Sequence, residues 1–255
     1  MEEISPDLDD IQKLVDLITT AHHCVAFTGA GISTLSGIQD FRGKNGLYKT
    51  MNADNMFDIN RFKQDPSEYY RLAKDFIYGL DDKKPSTVHR VLALLEERGY
   101  LDAIITQNVD LLHQKAGSKK VLEIHGTPAV HRCMTCSFTM GFQEVATLVR
   151  RDEIPTCPDC GGAIKPDITF FGEMLPREAL EAADRHARKA DLMLILGTSL
   201  IVYPAAALPE KTLRGGGTLI IVNDMPTPLD EYATLRFSDL HTTFEALERA
   251  LPSVG

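Results

Sequence analysis

The sequence lacks any apolar run long enough to cross a membrane. Its apolar stretches, such as Leu192 to Leu196 and Leu219 to Val222, fall far short of the roughly 20 residues that span a bilayer. The segment from Met1 to Asp10 is acidic and lacks the basic start and apolar stretch of a secretory signal. We therefore expect a cytoplasmic protein that has no membrane partner.

Basic residues are in short supply, since 27 Lys and Arg stand against 36 Asp and Glu, for a formal net charge of −9. Sequence-independent nucleic-acid binding depends on cationic side chains that neutralise phosphates. The sequence thus predicts no nucleic-acid partner. It mildly favours basic partners, although solubility accounts for such a charge about as well. The remaining composition is that of a globular protein, which we expect to be a monomer.

Cysteine is also scarce, but four of the five cysteines fall into two Cys-x-x-Cys units. These are Cys133 with Cys136 and Cys157 with Cys160. In a reducing compartment such pairs favour a metal over disulfides. Four thiolates hold Zn²⁺ tetrahedrally and leave no position for water, so we expect a structural zinc. Cys24 lies in an apolar segment and is interpreted as a small buried hydrophobe.

Short apolar segments alternate with amphipathic ones along most of the chain. Apolar residues at helical spacing predict helices over residues 11–22, 66–80 and 87–98. Continuous apolar segments predict strands over residues 24–27, 101–106, 121–124, 192–196 and 219–222. This alternation is typical of a parallel sheet that is covered by helices on both faces.

We therefore predict an α/β fold, a doubly wound parallel (Rossmann-like) sheet with a smaller inserted zinc-ribbon and helical domain. The larger, discontinuous domain is assigned residues 1–43, 85–126 and 166–255. The smaller domain is assigned residues 44–84 and 127–165.

Small or polar residues follow each predicted strand. The groups are Gly29-Ala30-Gly31, Gln107-Asn108-Val109-Asp110, His125-Gly126, Thr198-Ser199 and Asn223-Asp224. Ligands of open α/β sheets bind outside the carboxyl ends of the strands. The sequence therefore predicts one site at this edge of the sheet.

The glycine turn at Gly29 to Gly31 resembles the start of a dinucleotide-binding fingerprint. However, Thr34 replaces the third glycine, and no acidic residue closes a second strand about 20 residues later. An ordinary nicotinamide dehydrogenase is not supported. The turn is either a tight connection or a diphosphate cradle built from its backbone N–H groups.

His125 is the histidine that the pattern singles out. A lone histidine is more often structural than catalytic, but His125 stands at a strand end beside other polar motifs, which favours catalysis. The other histidines have no such neighbours; they include His22, His23, His89, His113 and His131.

Together these motifs occur in the order seen in sirtuins, and the sequence resembles that family from about residue 11 to residue 250. The motifs that carry the resemblance are Gly29-Ala-Gly-Ile-Ser33, Gly37-Ile-x-Asp-Phe-Arg-Gly43, Thr106-Gln-Asn-Val-Asp110, His125-Gly126, the cysteine pairs, Phe171-Gly-Glu173, Gly197-Thr-Ser-Leu200 and Asn223. The resemblance implies an enzyme that consumes NAD to remove acyl groups from lysine. Its implied products are nicotinamide, O-acyl-ADP-ribose and free lysine, and its implied partners are acyl-lysine proteins or peptides.

The same resemblance implies roles for individual residues. His125 would be the general base on the ribose hydroxyls, as suits an imidazole with a pKa near 6.5, and Asn108 and Asp110 would complete the catalytic set. The implied cofactor contacts are Gly29, Ala30, Gly31, Ser33, Thr34, Asp40, Phe41, Arg42, Gln107, Asn108, Val109, Asp110, His125, Thr198, Ser199, Asn223, Asp224 and Leu240. The implied peptide contacts are Phe171, Gly172, Glu173, Ile201 and Val202.

The sequence departs from the family pattern at a few positions. Gln39 stands where proline is usual, so we expect the cofactor loop to order less readily. Leu111 stands where glycine is common, and we expect it to narrow the adjacent pocket. Sirtuins that prefer succinyl or malonyl lysine carry a Tyr-x-x-Arg pair, which Ala73 and Phe76 replace here. The sequence thus predicts acetyl or longer apolar acyl groups.

Two alternative functions remain at this point. One is mono-ADP-ribosyl transfer onto proteins from the same NAD site. The other is a zinc-ribbon module that senses NAD or ADP-ribose without chemistry, against which the presence of His125, Asn108 and Asp110 together counts.

Overall fold

The computed structural model describes residues 6–40, 46 and 56–252, and a sheet of six parallel strands runs through its centre. In spatial order the strands are β3 (Val121–Glu123), β2 (Ala103–Thr106), β1 (Cys24–Thr28), β7 (Leu192–Leu196), β8 (Thr218–Val222) and β9 (Ala233–Phe237). The chain builds outward from β1 to β3 on one side and then returns to build β7 to β9 on the other. The predicted doubly wound sheet is thereby confirmed.

The central strands are apolar throughout because helices cover both of their faces. Every residue of β1 and of β7 is buried. Ala26 faces one apolar cluster and Phe27 faces the opposite one. All five predicted strands are present; β9 was not predicted, since it lies at the sheet edge and buries only alternate residues.

The helices form two layers around this sheet. One cluster contains residues of α1 (Leu8–Thr20), α5 (Thr87–Glu97) and α10 (Leu240–Ala250), and the opposite one residues of α8 (Arg177–Lys189) and α9 (Leu208–Arg214). The predicted helices over residues 11–22, 66–80 and 87–98 correspond to α1, to α4 (Pro66–Phe76) and to α5, with ends that differ by a few residues. The remaining helices of the described ranges are α2 (Gly31–Thr34), α3 (Ile59–Gln64), α6 (Leu112–Ala116) and α7 (Phe142–Arg150). Short 3-10 turns lie at Leu80–Asp82, Ala205–Ala207 and Asp230–Tyr232. None of the helices in the described part of the chain is long and apolar enough to cross a membrane.

A second, antiparallel sheet belongs to the inserted segments. It consists of β4 (Gly126–Cys133) between β5 (Thr139–Gly141) and β6 (Ile164–Ile168). Phe62 and Tyr70 from the first insertion pack in one buried cluster with Val145 and Ile164 from the second. The division into two domains stays a prediction, and its boundary between residues 165 and 166 falls inside β6.

Candidate active site

A cleft of about 880 Å³ opens where the carboxyl ends of the central strands meet. Its size suits a drug-sized ligand or cofactor. The predicted residues that line it are Gly29, Ala30, Gly31, Asp40, Gln107, Asn108, Val109, His125, Phe171, Gly172, Glu173, Thr198, Ser199, Val202, Asn223 and Asp224. The fold therefore brings strand-end motifs from five strands to one cavity.

Several predicted contacts lie outside this lining. Phe41 and Arg42 belong to the part of the chain that the structure does not describe. The expected effect of Gln39 on the order of the cofactor loop therefore stays a prediction. Thr34 is exposed, and its hydroxyl donates to Gly31 O at 2.9 Å. The other predicted contacts that do not line the cavity are Ser33, Asp110, Ile201 and Leu240.

Asp110 braces the wall of the cleft from behind. Its carboxylate accepts the Ser33 hydroxyl at 2.6 Å and the backbone N–H of Leu112 at 2.9 Å. The Asn108 amide donates to Gly29 O at 3.1 Å and to the Ser33 hydroxyl at 3.2 Å. This network ties the loop after β2 to the turn after β1, and the contact of Asp110 with cofactor stays a prediction.

Leu111 acts on the backbone and not on the cleft. It has a left-handed conformation with φ of 61°, the region that favours glycine. Leu111 is absent from the residues that line the cavity. The expectation that Leu111 narrows the pocket is therefore wrong for this cleft. The left-handed backbone of the turn before α6 is the feature that favours glycine at this position.

His125 is held in one orientation by the carbonyl of Gln107. Since a carbonyl oxygen only accepts, the contact of 2.9 Å between His125 Nδ1 and Gln107 O places the ring hydrogen on Nδ1. In the neutral ring Nε2 is then the acceptor nitrogen. Gln107 is fixed in turn, because its side-chain amide donates to the Thr198 hydroxyl at 2.9 Å. The arrangement can present a base to a ligand in the cleft.

The glycine turn after β1 uses most of its N–H groups within the protein. Gly29 N–H donates to Leu196 O and Gly31 N–H to Gly197 O, both at 2.9 Å, while Ser33 N–H donates to Ala30 O at 3.0 Å. Within the described residues, Ala30 N–H has no such acceptor. The end of β7 and the turn that follows it therefore occupy the Gly29 and Gly31 N–H groups, and a diphosphate cradle at this turn stays a prediction.

Gly197 permits this close packing of two turns. Its φ is +61°, and an added Cβ would lie 2.6 Å from the backbone nitrogen of Ile32. We expect Gly197→Ala to lower the free energy of unfolding by about 3 kcal/mol, since it combines left-handed strain with a backbone clash. Urea denaturation measures this loss.

Gly216→Ala is the matched control for that substitution. Gly216 also has a positive φ of +84°, but nothing lies within 4 Å of an added Cβ. It should lose only about 1 kcal/mol, from conformational strain alone. Equal losses in the two variants would contradict the role given to close packing at Gly197.

A buried pair of imidazoles lies behind the first strand end. His113 Nε2 shares a hydrogen bond of 3.0 Å with the Thr28 hydroxyl, and the His89 ring lies 4.7 Å away between centroids. Burial lowers the pKa of His113 well below 6.5 and that of His89 to about 4. Both rings are neutral near pH 7 and serve as hydrogen-bond partners. The expectation that His113 lacks polar neighbours is thus wrong, because the fold places it against β1.

The four paired cysteines form a separate cluster. Their sulfur atoms all lie within 4.8 Å of one another, and Cys133 and Cys160 are 3.5 Å apart. Tetrahedral zinc with Zn–S bonds near 2.3 Å requires sulfur separations of about 3.8 Å, so the residues fit this ion. The Thr135 N–H donates to Cys133 Sγ at 3.3 Å, and a Cβ on Gly162 would come within 2.9 Å of that sulfur. None of the four cysteines lines the cleft, as expected for a structural zinc.

The sequence did not predict one wall of the cleft. Further lining residues are Phe57, Ile168, Thr169, Phe170, Met174, Leu175, Arg177, Leu180, Glu181, Gly197, Tyr203, Pro204 and Met225. Many of them flank the motif Phe171-Gly-Glu173, which was the available signal. Most of these residues are apolar, and each by itself is typical of a core or helix position in the sequence.

Comparison with known proteins agrees with this geometry. A model of the Sir2 family matches residues 29–204. Over 228 residues the chain is 47% identical to an NAD-dependent protein deacetylase of Thermotoga maritima, covering 89% of this chain and 92% of that protein. It is 46% identical over 210 residues to an NAD-dependent protein deacylase of Thermococcus kodakarensis, covering 81% and 82%.

Solved structures give the same result. A complex of Sir2 with p53 peptide and NAD⁺ matches at a TM-score of 0.85 and 44% identity, over 94% of this chain and 96% of that one. Sir2Tm bound to a propionylated peptide matches at a TM-score of 0.84 and 43% identity, with the same coverage of 94% and 96%.

Proposed function

The chain belongs to the Sir2 family, and we infer that it is an NAD-dependent protein-lysine deacylase that releases nicotinamide, O-acyl-ADP-ribose and free lysine. The observation that carries this function is the convergence of His125, Gln107 and Asn108 on one cleft at the strand ends. When bound in this cleft, NAD would supply an electrophilic ribose carbon and nicotinamide as the leaving group.

We propose that His125 is the general base of this reaction. Its Nδ1 is engaged by Gln107 O, so Nε2 would take a proton from a ribose hydroxyl. The strand-end groups Ala30, Asn108, Thr198 and Ser199 would surround the cofactor on the other side of the cleft. A parallel sheet presents its ligand-binding edge at this position.

The acyl-lysine peptide would bind by backbone pairing at the cleft mouth, whose two sides are the backbone segments at Gly172 and Ile201. Phe171 is already paired, since its N–H donates to Phe57 O at 2.6 Å and its C=O accepts from Ile59 N–H at 3.2 Å. No described residue hydrogen-bonds the backbone of Gly172 or Ile201. We propose that the peptide lies between these two as an added strand.

A mixture of acetyl-lysine peptide, NAD and the protein tests this function. We expect nicotinamide and O-acetyl-ADP-ribose in equal amounts, both detected by mass spectrometry. Addition of ADP-ribose to a protein would instead indicate a transferase. A lack of nicotinamide release with every acyl peptide would favour the non-catalytic sensor.

The acyl preference is a separate prediction. Ala73 is fully buried in the core of the inserted segments. Among the described residues that line the cleft, Arg177 is the only lysine or arginine. Its Nε donates to Glu181 at 2.7 Å. A succinyl carboxylate would therefore be desolvated without a partner, and we expect kcat/KM to be at least about tenfold lower for succinyl-lysine than for acetyl-lysine.

Butyryl-lysine is the matched control for chain length, because it extends the acyl group without a charge. It should be turned over better than succinyl-lysine in the same peptide. Equal kcat/KM values for the two would show that a cation does serve the acyl site.

Location and assembly complete the proposal. We propose a cytoplasmic monomer without a nucleic-acid partner, in two domains with the bounds given above. Support comes from the net charge of −9 and from the four clustered thiols, which remain available to zinc in a reducing compartment.

A further inference from the structure

Lys165 is a lysine in a position where lysine is unusual. It lies in β6, and its side chain is 10% exposed. A lysine ammonium is almost never fully buried unless it is paired. The structure must therefore supply partners for its charge.

Those partners are backbone carbonyls and a carboxylate. Lys165 Nζ donates to Ile168 O at 2.7 Å and to Pro166 O at 3.1 Å, and it lies 2.8 Å from Glu173 Oε2. It also sits 4.1 Å from the centre of the Phe170 ring, a cation–π contact. An ammonium has three N–H donors, which matches three oxygen acceptors.

The Lys165 ammonium stabilises the turn from Phe170 to Glu173 through the Glu173 carboxylate. Glu173 Oε2 also accepts the Phe170 N–H at 2.8 Å, and Glu173 N–H donates back to Phe170 O at 3.0 Å. Lys165 therefore ties the end of β6 to both ends of this turn. Gly172 within it has a φ of +92°, which glycine adopts without strain.

The same turn forms one side of the cleft mouth. All four of its residues, Phe170 to Glu173, line the cavity. The preceding residue is tied to the candidate base, because Thr169 N–H donates to His125 O at 2.8 Å. A shift of the turn would move the backbone at which the substrate peptide is proposed to pair.

We propose that Lys165 is a positioning residue for the acyl-lysine peptide, which acts through Glu173 by fixing the turn Phe170–Glu173 at the cleft mouth. This inference rests on the proposed function. It assigns a role in substrate binding to a side chain that itself does not line the cleft.

Lys165→Met tests this role, since methionine keeps an unbranched chain of similar length and removes the charge. We expect KM for an acetyl-lysine peptide to rise about tenfold, while kcat at saturating peptide and KM for NAD change less than about twofold. Lys211→Met is the matched control, because it removes an ammonium paired with Asp184, and neither of these two residues lines the cleft. That control should leave both KM values unchanged.

A purely structural ion pair would behave differently. It would lower the melting temperature of Lys165→Met and leave peptide KM at the value of the unmodified protein, and that result would overturn the proposal. Parallel increases in both KM values would also overturn it, because they indicate general distortion of the cleft.

The role of Glu173 is tested with the double variant Lys165→Met/Glu173→Gln. If Lys165 acts through Glu173, the peptide KM of the double variant should stay within about twofold of the higher single-variant value. Multiplied effects would mean that the two side chains act independently, against the proposal. Titration of the peptide into each variant measures binding directly. It therefore tests Lys165 even if the unmodified protein binds peptide without releasing nicotinamide, a result that would reject the proposed function alone.

Discussion

Replacing His125 by alanine should lower kcat by a factor of about 10² to 10⁴, the usual contribution of a positioned general base. The ring is partly exposed in the cleft, so its removal leaves no large cavity in the core. The variant loses the Nδ1 contact to Gln107 O. Melting temperature and zinc content should therefore stay close to those of the unmodified protein.

Nicotinamide release at saturating NAD and acetyl-lysine peptide measures this loss. His22→Ala is the control, because His22 is an exposed histidine just before the amino end of β1, whereas the cleft lies at the carboxyl ends of the strands. It should retain full turnover. A His125→Ala protein that keeps more than about a tenth of its kcat would remove His125 from the role of base.

Loss of the metal should unfold the inserted segments. Structural zinc contributes roughly 10–16 kcal/mol in small zinc-binding peptides, which matches or exceeds the total stability of most domains. We expect Cys157→Ala, or strong chelation, to abolish the bound zinc and expose residues 133–160 to protease. Activity should fall too, because β6 pairs with β4 next to the cluster and leads directly into the turn at Phe170.

Metal analysis and limited proteolysis measure these effects. Cys24→Ala is the matched control, since Cys24 is buried in β1 away from the other four cysteines. It should keep one zinc per chain and lose only about 1 kcal/mol of stability through a small cavity. A zinc-free Cys157→Ala protein with an intact fold and full activity would contradict a structural role for the metal.

The sequence predicted the central sheet because its signal is local. Strands buried on both faces need continuous apolar residues, and β1 and β7 show that pattern over their whole length. The edge strand β9 escaped prediction because only Leu235 and Phe237 are buried in it. The zinc cluster was equally predictable, since each Cys-x-x-Cys pair is a local feature.

The site was predicted in part. Parallel strands bring their carboxyl ends to one edge, so the motifs at Asn108, His125 and Thr198 could be placed together from the alternation of elements alone. The use of the turn N–H groups could not be predicted. It depends on the pairing of β1 with β7, whose residues lie well over a hundred positions apart.

The sequence by itself therefore determined the sheet, the zinc ligands and the strand-end groups, because each is encoded in neighbouring residues. Only the tertiary structure decided which groups remain available to a ligand. It assigned the Asp110 carboxylate to Ser33 and Leu112, paired the Phe171 backbone with Phe57 and Ile59, and buried Lys165 against Glu173. Donors and acceptors are limited in number, and packing between distant segments determines how many the protein itself uses.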